Sequence, residues 1–176
     1  SSGFESQLYW WNATTGERTR RVTGHDVAVH ELCVSHDGKL VASAGADKTL
    51  RFWNGSNGQS LRTVQVGSLV YAVALRPDGK QAAAGSFDGL VRLYDPATGK
   101  LLVTILAVPG AGEVPEWLAL TPEGYVAGSE GWSDRGKWRV AGQPLDGATL
   151  WPIVTDPDAV AQLLAGAKLP EPAMKK

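Results

Sequence analysis

The sequence has little of what most catalytic or metal-binding chains require. Its 176 residues include one cysteine, Cys33, and three histidines. A single cysteine excludes an internal disulfide and any metal site built from several cysteines of this chain. Lysine and arginine number 17 against 18 aspartates and glutamates, which leaves a net charge of -1. Because nothing in this balance suggests a basic face, we expect no nucleic-acid partner.

Long apolar runs and catalytic motifs are also lacking. No uninterrupted apolar stretch approaches the roughly 20 residues of a spanning helix, so we expect no membrane insertion. There is no His-Glu-x-x-His, no nucleophile elbow and no haem-attachment motif. The glycine-rich stretch 109–112 lacks the lysine of a phosphate loop. The sequence therefore predicts a chain that is not an enzyme, with no catalytic residue, no metal and no cofactor, and it leaves the cellular compartment open.

An aromatic residue at the end of an apolar segment recurs along the chain. It stands at Trp11, Trp53 and Tyr94, with spacings of 42 and 41 residues, and Trp138 follows after 44. Two kinds of glycine turn keep the same phase, one at Gly38, Gly79 and Gly124 and the other at Gly16, Gly58 and Gly99. Between these markers lie short segments of strand composition, four to each period. A period of about 40 to 45 residues with four strands is typical of one blade of a β-propeller.

Motifs within the period resemble the WD-repeat family. Gly24-His25 opens one repeat, Asp47 and Asp88 stand in the turn before the third strand, and Trp53-Asn54 closes it. The resemblance covers residues 1 to about 141. It implies an all-β fold, a β-propeller of four-stranded antiparallel blades, in which repeats present their turns to protein partners.

Counting strands predicts an incomplete propeller of about three and a half blades. The predicted units are a partial blade at 1–23, whole blades at 26–66 and 67–107, and most of another at 113–141. A closed ring needs roughly four to eight blades. We therefore expect the missing blades to come from chain upstream or from a second copy.

The last part of the chain, 142–176, departs from the repeat and is predicted to be an irregular tail with a short helix. Asp156 is a capping residue, Pro157 suits the first helical position, and an apolar stripe follows, which places the helix near 157–165. This tail and the repeat before it resemble the C-terminal ends of large bacterial WD-repeat proteins. Some of those carry a cytochrome c or another envelope domain, which suggests an alternative function as the accessory propeller of a bacterial redox or envelope protein.

The family resemblance implies a buried structural tetrad in one repeat. Its members would be His25, Ser43, Asp47 and Trp53, whose polar groups satisfy one another's hydrogen bonds. An alternative interpretation is a Ser-His-Asp catalytic triad, but the repeat already explains the spacing. The next repeat keeps the aspartate but has Tyr94 in place of tryptophan and Gly67-Ser68 in place of Gly-His, so its tetrad is degraded.

The resemblance also implies which residues face a partner. Carried over by position, the candidates for partner binding are Phe4, His30, Leu69, Tyr71, Phe87 and Glu116, with Ala28, Ala46 and Val114 beside them. Tyr71 and Phe87 are the expected aromatic anchors. In the alternative interpretation these rings only cover the central channel. The function favoured by the sequence is an interaction scaffold for a protein or peptide.

Overall fold

The structure is a computed structural model that describes residues 5–110, 114–132, 138–140, 143–146, 151 and 155–167. The chain forms two compact units, Ser1–Lys100 and Leu101–Lys176. In both units the pairs of described strands are antiparallel. This confirms the all-β prediction.

The first unit consists of a hairpin, a four-stranded sheet and three further strands. Strand β1 (Gln7–Trp11) pairs with β2 (Arg18–Thr23). The four-stranded sheet contains, in chain order, β3 (Val29–Val34), β4 (Leu40–Gly45), β5 (Thr49–Asn54) and β6 (Ser60–Gln65). The strands β7 (Val70–Leu75), β8 (Ala82–Ser86) and β9 (Leu90–Tyr94) follow. Each strand of these groups pairs with its neighbour in sequence, which is the pattern of a propeller blade.

The turn between β3 and β4 shows how the sequence fixes these hairpins. Ser35 Oγ donates a hydrogen bond to Asp37 Oδ1 at 2.8 Å, and the Gly38 amide donates to the Ser35 carbonyl at 2.9 Å. Gly38 has φ +71°, a left-handed conformation that is accessible to glycine because it has no Cβ. The turn between β7 and β8 repeats this arrangement at Gly79, with φ +70°.

The β1–β2 hairpin packs against the four-stranded sheet within the first unit. Leu8, Val41 and Trp53 form the buried cluster at this contact. The indole Nε1 of Trp10 donates to the Gly55 carbonyl at 2.8 Å. Successive repeats therefore share apolar surface, as stacked repeat units require.

Both this packing and the backbone conformation require glycine at position 58. Its φ is +67°, and a Cβ there would lie 2.9 Å from Arg20 Cδ and 3.1 Å from Val22 Cγ2 of β2. Gly99 repeats the arrangement one period later, with φ +74° and a Cβ position 3.1 Å from Val64 Cγ2. The glycine that ends each period thus makes room for the outer strand of the preceding repeat.

The second unit contains three antiparallel strands, a short hairpin and a helix. The strands are β10 (Leu101–Val108), β11 (Glu116–Leu120) and β12 (Val126–Gly128), and the hairpin is β13 (Trp138–Val140) with β14 (Gln143–Leu145). Helix α1 (Pro157–Leu164) starts at an Asp156 cap, whose Oδ1 accepts from the Ala159 amide at 2.8 Å. The predicted helix is therefore confirmed. The Asp156 amide donates to the Val126 carbonyl at 2.7 Å and ties the start of the helix to β12.

The predicted blade boundaries and the tail boundary at 142 remain predictions. Phe4, one of the candidate partner-binding residues, lies outside the described residues. Among the residues that the structure describes, no helix is both long enough and apolar enough to cross a membrane.

Candidate functional sites: a buried polar network and an exposed aromatic ladder

The four residues of the expected tetrad come together in the first unit. His25 precedes β3, Ser43 lies in β4, Asp47 lies in the β4–β5 turn and Trp53 lies in β5. Ser43 Oγ is 2.7 Å from His25 Nε2 and accepts from Trp53 Nε1 at 2.9 Å. His25 Nδ1 is 2.9 Å from Asp47 Oδ1. One hydrogen-bonded chain thus connects four neighbouring segments of the repeat.

The direction of each hydrogen bond in this chain follows from the chemistry of its members. An ionised carboxylate only accepts, so His25 Nδ1 carries the proton and donates to Asp47. In a neutral imidazole Nε2 then accepts, and the Ser43 hydroxyl donates to it. Burial lowers the pKa of His25, which keeps the imidazole neutral. The order of donation is therefore Trp53 to Ser43 to His25 to Asp47.

Two members of this network were not predicted from the sequence, Thr49 and Arg51. Thr49 Oγ1 donates to Asp47 Oδ1 at 2.6 Å, and Arg51 Nη2 donates to Asp47 Oδ2 at 2.9 Å. Burial acts to raise the pKa of Asp47, but hydrogen bonds from Thr49 and His25 outweigh it and hold this pKa well below its usual range. The signal in the sequence was an arginine four residues after the turn aspartate, which recurs at Arg92 after Asp88.

The second repeat replaces the network with a smaller cluster near the surface. Ser86 Oγ donates to Asp88 Oδ1 at 2.7 Å, and Arg92 Nη2 donates to Asp88 Oδ2 at 2.7 Å. The Arg92 hydrogen bond lowers the pKa of Asp88 to about 2. Ala84 stands where the first repeat has Ser43. In the second repeat, an ion pair at the turn therefore stands in place of the tetrad, which the sequence predicted to be degraded.

The sequence analysis aligned Ser68 with His25 because Gly67-Ser68 resembled the Gly-His motif, and this alignment is wrong. The Ala46 amide donates to the Ala28 carbonyl, and 41 residues later the Phe87 amide donates to the Leu69 carbonyl. The same 41-residue offset takes His25 to Val66, which is buried. An apolar side chain occupies the histidine position, and this explains why no buried polar network forms around it.

Three aromatic rings from consecutive repeats form an exposed row, which we call the aromatic ladder (His30, Tyr71 and Phe87). The His30 and Tyr71 rings stack with centroids 4.7 Å apart, and Tyr71 meets Phe87 edge-on at 6.2 Å. His30 Nδ1 donates to the Val70 carbonyl at 2.9 Å. Tyr71 is 48% exposed and Phe87 is 72% exposed. The ladder is therefore held by strands β3 and β7 and the β8–β9 turn while its faces remain open to solvent.

The remaining candidates for partner binding differ in their setting. Leu69 is partly buried, and its carbonyl accepts the Phe87 amide at 2.9 Å. Ala28 and Ala46 are partly buried as well. Glu116 starts β11 in the second unit, and Val114 there is 79% exposed. Of the six candidates, the structure brings together His30, Tyr71 and Phe87.

Side chains of β3 also contact the edge of β7, which the sequence did not reveal. Glu31 Oε2 accepts from the Val73 amide at 2.6 Å, and Cys33 Sγ accepts from the Leu75 amide at 3.3 Å. Cys33 is thus a hydrogen-bond acceptor between repeats. No group of three or more histidine, cysteine, aspartate or glutamate side chains suited to a metal occurs within the described part of the chain.

Comparison with known proteins identifies the repeats. Residues 16–54 and 58–95 match the family model described as WD domain, G-beta repeat. Periodic tryptophan protein 2 of Arabidopsis thaliana is 36% identical over 101 residues, covering 56% of this chain and 11% of that protein. Ribosome biogenesis protein bop1 of Danio rerio is 36% identical over 116 residues, covering 60% of this chain and 15% of that protein.

A third relative covers more of the chain. Eukaryotic translation initiation factor 3 subunit I of Neosartorya fischeri is 30% identical over 138 residues, or 76% of this chain and 39% of that protein. The chain thus spans less than two fifths of the length of these relatives. All three come from eukaryotes, so they give no support to the expected bacterial type of protein.

Solved structures show the same fold. The structure of U3-55K matches with a TM-score of 0.56 at 18% identity, covering 72% of this chain and 46% of that one. The crystal structure of the RRP9 WD40 repeats matches with a TM-score of 0.56 at 20% identity, covering 71% and 42%. The chain therefore carries WD40 repeats at residues 16–54 and 58–95 and has the fold of a WD40 β-propeller.

Proposed function

We propose that the chain is a non-catalytic interaction scaffold whose protein partner contacts the aromatic ladder. The observation that carries this proposal is a row of stacked, exposed rings contributed by consecutive repeats. Exposed aromatic side chains on a rigid support supply much of the binding energy at protein interfaces. Isolated exposed apolar residues are common, but a contiguous row marks an interaction site.

The turn that carries Phe87 is held in place before any partner arrives. Its amide donates to the Leu69 carbonyl, and Ser86 and Arg92 both bind Asp88 within the same turn. A turn whose backbone is fixed in this way loses little conformational entropy on binding, and this favours affinity. Phe87 and Tyr71 are therefore the proposed anchors.

The buried network supports a structural role rather than hydrolysis. Ser43, His25 and Asp47 have triad-like spacing, but Ser43 is 0% exposed and His25 is 1% exposed. The Ser43 oxygen also accepts a hydrogen bond from Trp53 Nε1. A substrate carbonyl would have to approach within about 3 Å of the serine oxygen, and the surrounding blade occupies that space.

Quantitative affinity capture tests the proposed partner site. Proteins recovered with the wild-type chain would be compared with those recovered with a Tyr71→Ala, Phe87→Ala double variant. Leu61→Ala is the matched control, since Leu61 is 50% exposed on β6 and lies outside the ladder. We expect a partner retained by the wild type and by Leu61→Ala but lost from the double variant. Equal recovery by all three chains would show that the ladder does not bind the partner.

An ester-hydrolysis assay separates scaffold from enzyme. The wild-type chain and Ser43→Ala, checked for folding by circular dichroism, would be incubated with a p-nitrophenyl ester. We expect the same background rate from both. A rate that depends on Ser43 in folded protein would contradict the scaffold proposal.

The alternative of an accessory propeller in a bacterial redox or envelope protein has no observation in its favour. Its supporting resemblance lay in the C-terminal tail. The aromatic ladder would bind a protein partner in either kind of protein.

A further inference from the structure

A cavity lies where the strands of one repeat meet the turns of the next. Its lining consists of Leu40, Leu61, Arg62, Gly79, Pro96 and Ala97. Leu40 belongs to β4, Leu61 and Arg62 belong to β6, and the other three residues lie in the turns that follow β7 and β9. These residues lie between positions 40 and 97, away from both ends of the sequence. The cavity measures about 360 Å³, within the range of roughly 300 to 1,000 Å³ that is usual for ligand pockets.

A proline at position 96 distinguishes this repeat from the one before it. The equivalent residue 41 positions earlier is Gly55, whose amide donates to the Lys39 carbonyl at 2.7 Å. That hydrogen bond joins the two turns of the first repeat, and the Gly38 carbonyl leaves no room there for a Cβ. Pro96 has no amide hydrogen and carries a ring, so it cannot form the same bond. The two turns of the second repeat are therefore not joined in this way, and the cavity lies between them.

Arg62 provides a positive charge that is held in place at the cavity. Its Nη2 donates to the Ala97 carbonyl at 2.6 Å. Its Cδ lies 2.5 Å from the position that a Cβ would take at Gly99, so the glycine lets the stem of the arginine cross to the next repeat. A guanidinium has five N–H donors. Within the described part of the chain, no carboxylate pairs with Arg62.

The carboxylates on the two turns are already bound by other groups. Asp78 accepts from Arg76 Nε at 2.8 Å and from Arg76 Nη2 at 2.7 Å. Asp95 accepts from the Ala97 amide at 2.8 Å and from the Thr98 hydroxyl at 2.7 Å. These acids therefore do not neutralise the charge that Arg62 brings to the cavity.

The rest of the lining is apolar. Leu61 is 50% exposed, Leu40 is partly buried and Pro96 is buried. Covering this surface with an aliphatic or aromatic side chain is favourable because it removes apolar area from water. Lys80 is exposed on the same turn as Gly79 and adds a second positive charge. The cavity thus complements a ligand that has an apolar side chain next to negative charge.

Strand β8 separates the cavity from the aromatic ladder. Gly79 precedes this strand and Phe87 follows it. Its five residues, at about 3.3 Å each, span roughly 16 Å. A partner that contacts the ladder can therefore leave the cavity free for a different segment.

We propose that the cavity is a second docking site, which binds a short acidic segment of a protein partner. An aliphatic or aromatic side chain of that segment packs between Leu40, Leu61 and Pro96. A neighbouring carboxylate accepts hydrogen bonds from Arg62, since a guanidinium and a carboxylate form strong, charge-assisted pairs. The site goes beyond the proposed function, because it does not depend on the aromatic ladder.

Peptide selection tests this proposal. A phage-displayed library of short random peptides would be selected on the full chain carrying Tyr71→Ala and Phe87→Ala, so that the ladder cannot contribute. We expect the enriched peptides to share an aliphatic or aromatic residue beside one or more acidic residues. The most enriched peptide, labelled with fluorescein, is then the probe for the wild-type chain. We expect its anisotropy to saturate with one peptide bound per chain.

Variants of the chain locate the site. Arg62→Glu reverses the charge and is expected to weaken binding of the probe at least about tenfold. Leu61→Ala removes part of the apolar wall and is expected to weaken binding about threefold or more. Arg21→Glu is the matched control, since Arg21 is exposed on β2 and lies outside the lining, and it is expected to bind like the wild type. Circular dichroism melting confirms that each variant is folded.

A charge-swapped probe distinguishes a direct contact from a structural effect. In this probe the acidic residues are replaced by lysine. We expect it to bind Arg62→Glu at least about tenfold more tightly than it binds the wild type. A variant whose cavity had only lost its shape would bind neither probe.

The two proposed sites give opposite patterns in affinity capture. A partner of the cavity is lost from Leu61→Ala and retained by the Tyr71→Ala, Phe87→Ala double variant, which is the reverse of the pattern expected for the ladder. Failure of one proposal is therefore distinguishable from failure of the other.

Three outcomes would overturn the proposal of a second docking site. The selection enriches no peptides or enriches peptides without acidic residues, or the probe binds Arg62→Glu as tightly as the wild type. In the third, a short oligouridine RNA displaces the probe and itself binds Arg62→Glu more weakly, which would assign the cavity to a nucleic acid.

Discussion

Strands β3–β6 and strands β7–β9 carry the same repeat but hold it with different polar groups. In the first region, Trp53, Ser43 and His25 form a buried chain of hydrogen bonds that ends on Asp47. In the second region, Tyr94, Ala84 and Val66 occupy the same positions and are also buried. The second region keeps the polar contacts at the turn, where Arg92 binds Asp88 as Arg51 binds Asp47 in the first region.

This difference distinguishes the interactions that are sufficient to form the strands of a blade from the polar network that adds stability to one blade. Both regions have the same strand order and the same turns, so apolar burial and turn chemistry are sufficient for the strands. A buried network adds a different property, because each of its groups becomes costly once its partner is lost. A turn ion pair near the surface is screened by water and contributes little. The two regions should therefore respond very differently to matched substitutions.

Ser43→Ala is expected to have the largest effect. It removes the oxygen that joins Trp53 Nε1 and His25 Nε2, and it leaves two buried polar groups without that partner. At about 1 to 3 kcal/mol for each orphaned group, we expect a loss of roughly 2 to 6 kcal/mol in the free energy of unfolding. Urea denaturation with linear extrapolation measures it. Ser86→Ala is the control in the second region, and an equal loss there would erase the contrast between the regions.

Trp53→Phe is expected to come next. It removes the indole N–H and keeps most of the apolar bulk, so the Ser43 hydroxyl loses one donor. We expect a loss of about 1 to 3 kcal/mol. Tyr94→Phe is the matched change one repeat later, and we expect it to cost under about 1 kcal/mol. An unchanged urea midpoint for Trp53→Phe would show that the network does not stabilise the blade.

The free energy of unfolding is expected to depend on pH through His25. Because burial lowers the pKa of His25 in the folded chain, the unfolded chain binds this proton more readily below about pH 6.5. Stability is therefore fully present above that pH and declines as the pH falls toward the folded-state pKa, by at most about 1.4 kcal/mol per pH unit. The contribution of Asp47, whose pKa is lowered on folding, remains until the pH falls below about 4.

Urea midpoints at pH 7.5, 6.5 and 5.5 measure this dependence. His25→Gln removes the titrating group and is expected to flatten the decline. A slope that is the same in His25→Gln and in the wild type would assign it to other groups.

Two arginine substitutions provide the smallest and most closely matched comparison. Arg92→Gln breaks the ion pair with Asp88 at the turn, and we expect a loss below about 1 kcal/mol. Arg51→Gln breaks the corresponding pair with Asp47, whose side chain is 6% exposed, and we expect a larger loss. Urea denaturation at low and high salt compares them. A larger loss for Arg92→Gln would reverse the ranking of the two regions.

The sequence predicted the repeat well because its markers act locally. Gly38 and Gly79 adopt positive φ in turns between adjacent strands, and a turn depends on a few neighbouring residues. Asp156 and Pro157 likewise specified the start of α1. The family resemblance named His25, Ser43, Asp47 and Trp53, and the structure brings these four residues together.

Contacts between repeats were harder to predict. Thr49 and Arg51 were not recognised as partners of Asp47. The arginine four residues after the turn aspartate recurs at Arg92, but the recurrence by itself does not show that the side chain reaches the carboxylate. Val66 was not recognised as the equivalent of His25, because the Gly-His motif suggested Ser68. The 41-residue register between the repeats decides which side chain occupies this buried position. Glu31 and Cys33 contact β7 across 42 residues of sequence.

The sequence by itself determined the strands, their turns and their phase, because alternating side chains and positive-φ glycines constrain only residues close along the chain. The tertiary structure alone decided that Thr49 and Arg51 join the tetrad around Asp47 and that His30, Tyr71 and Phe87 come together as one aromatic ladder. These properties arise where the strands of one repeat, or of two successive repeats, come together. A hydrogen bond or a stacked ring depends on distances of a few ångströms between residues from 10 to 42 positions apart, and the sequence pattern does not encode those distances.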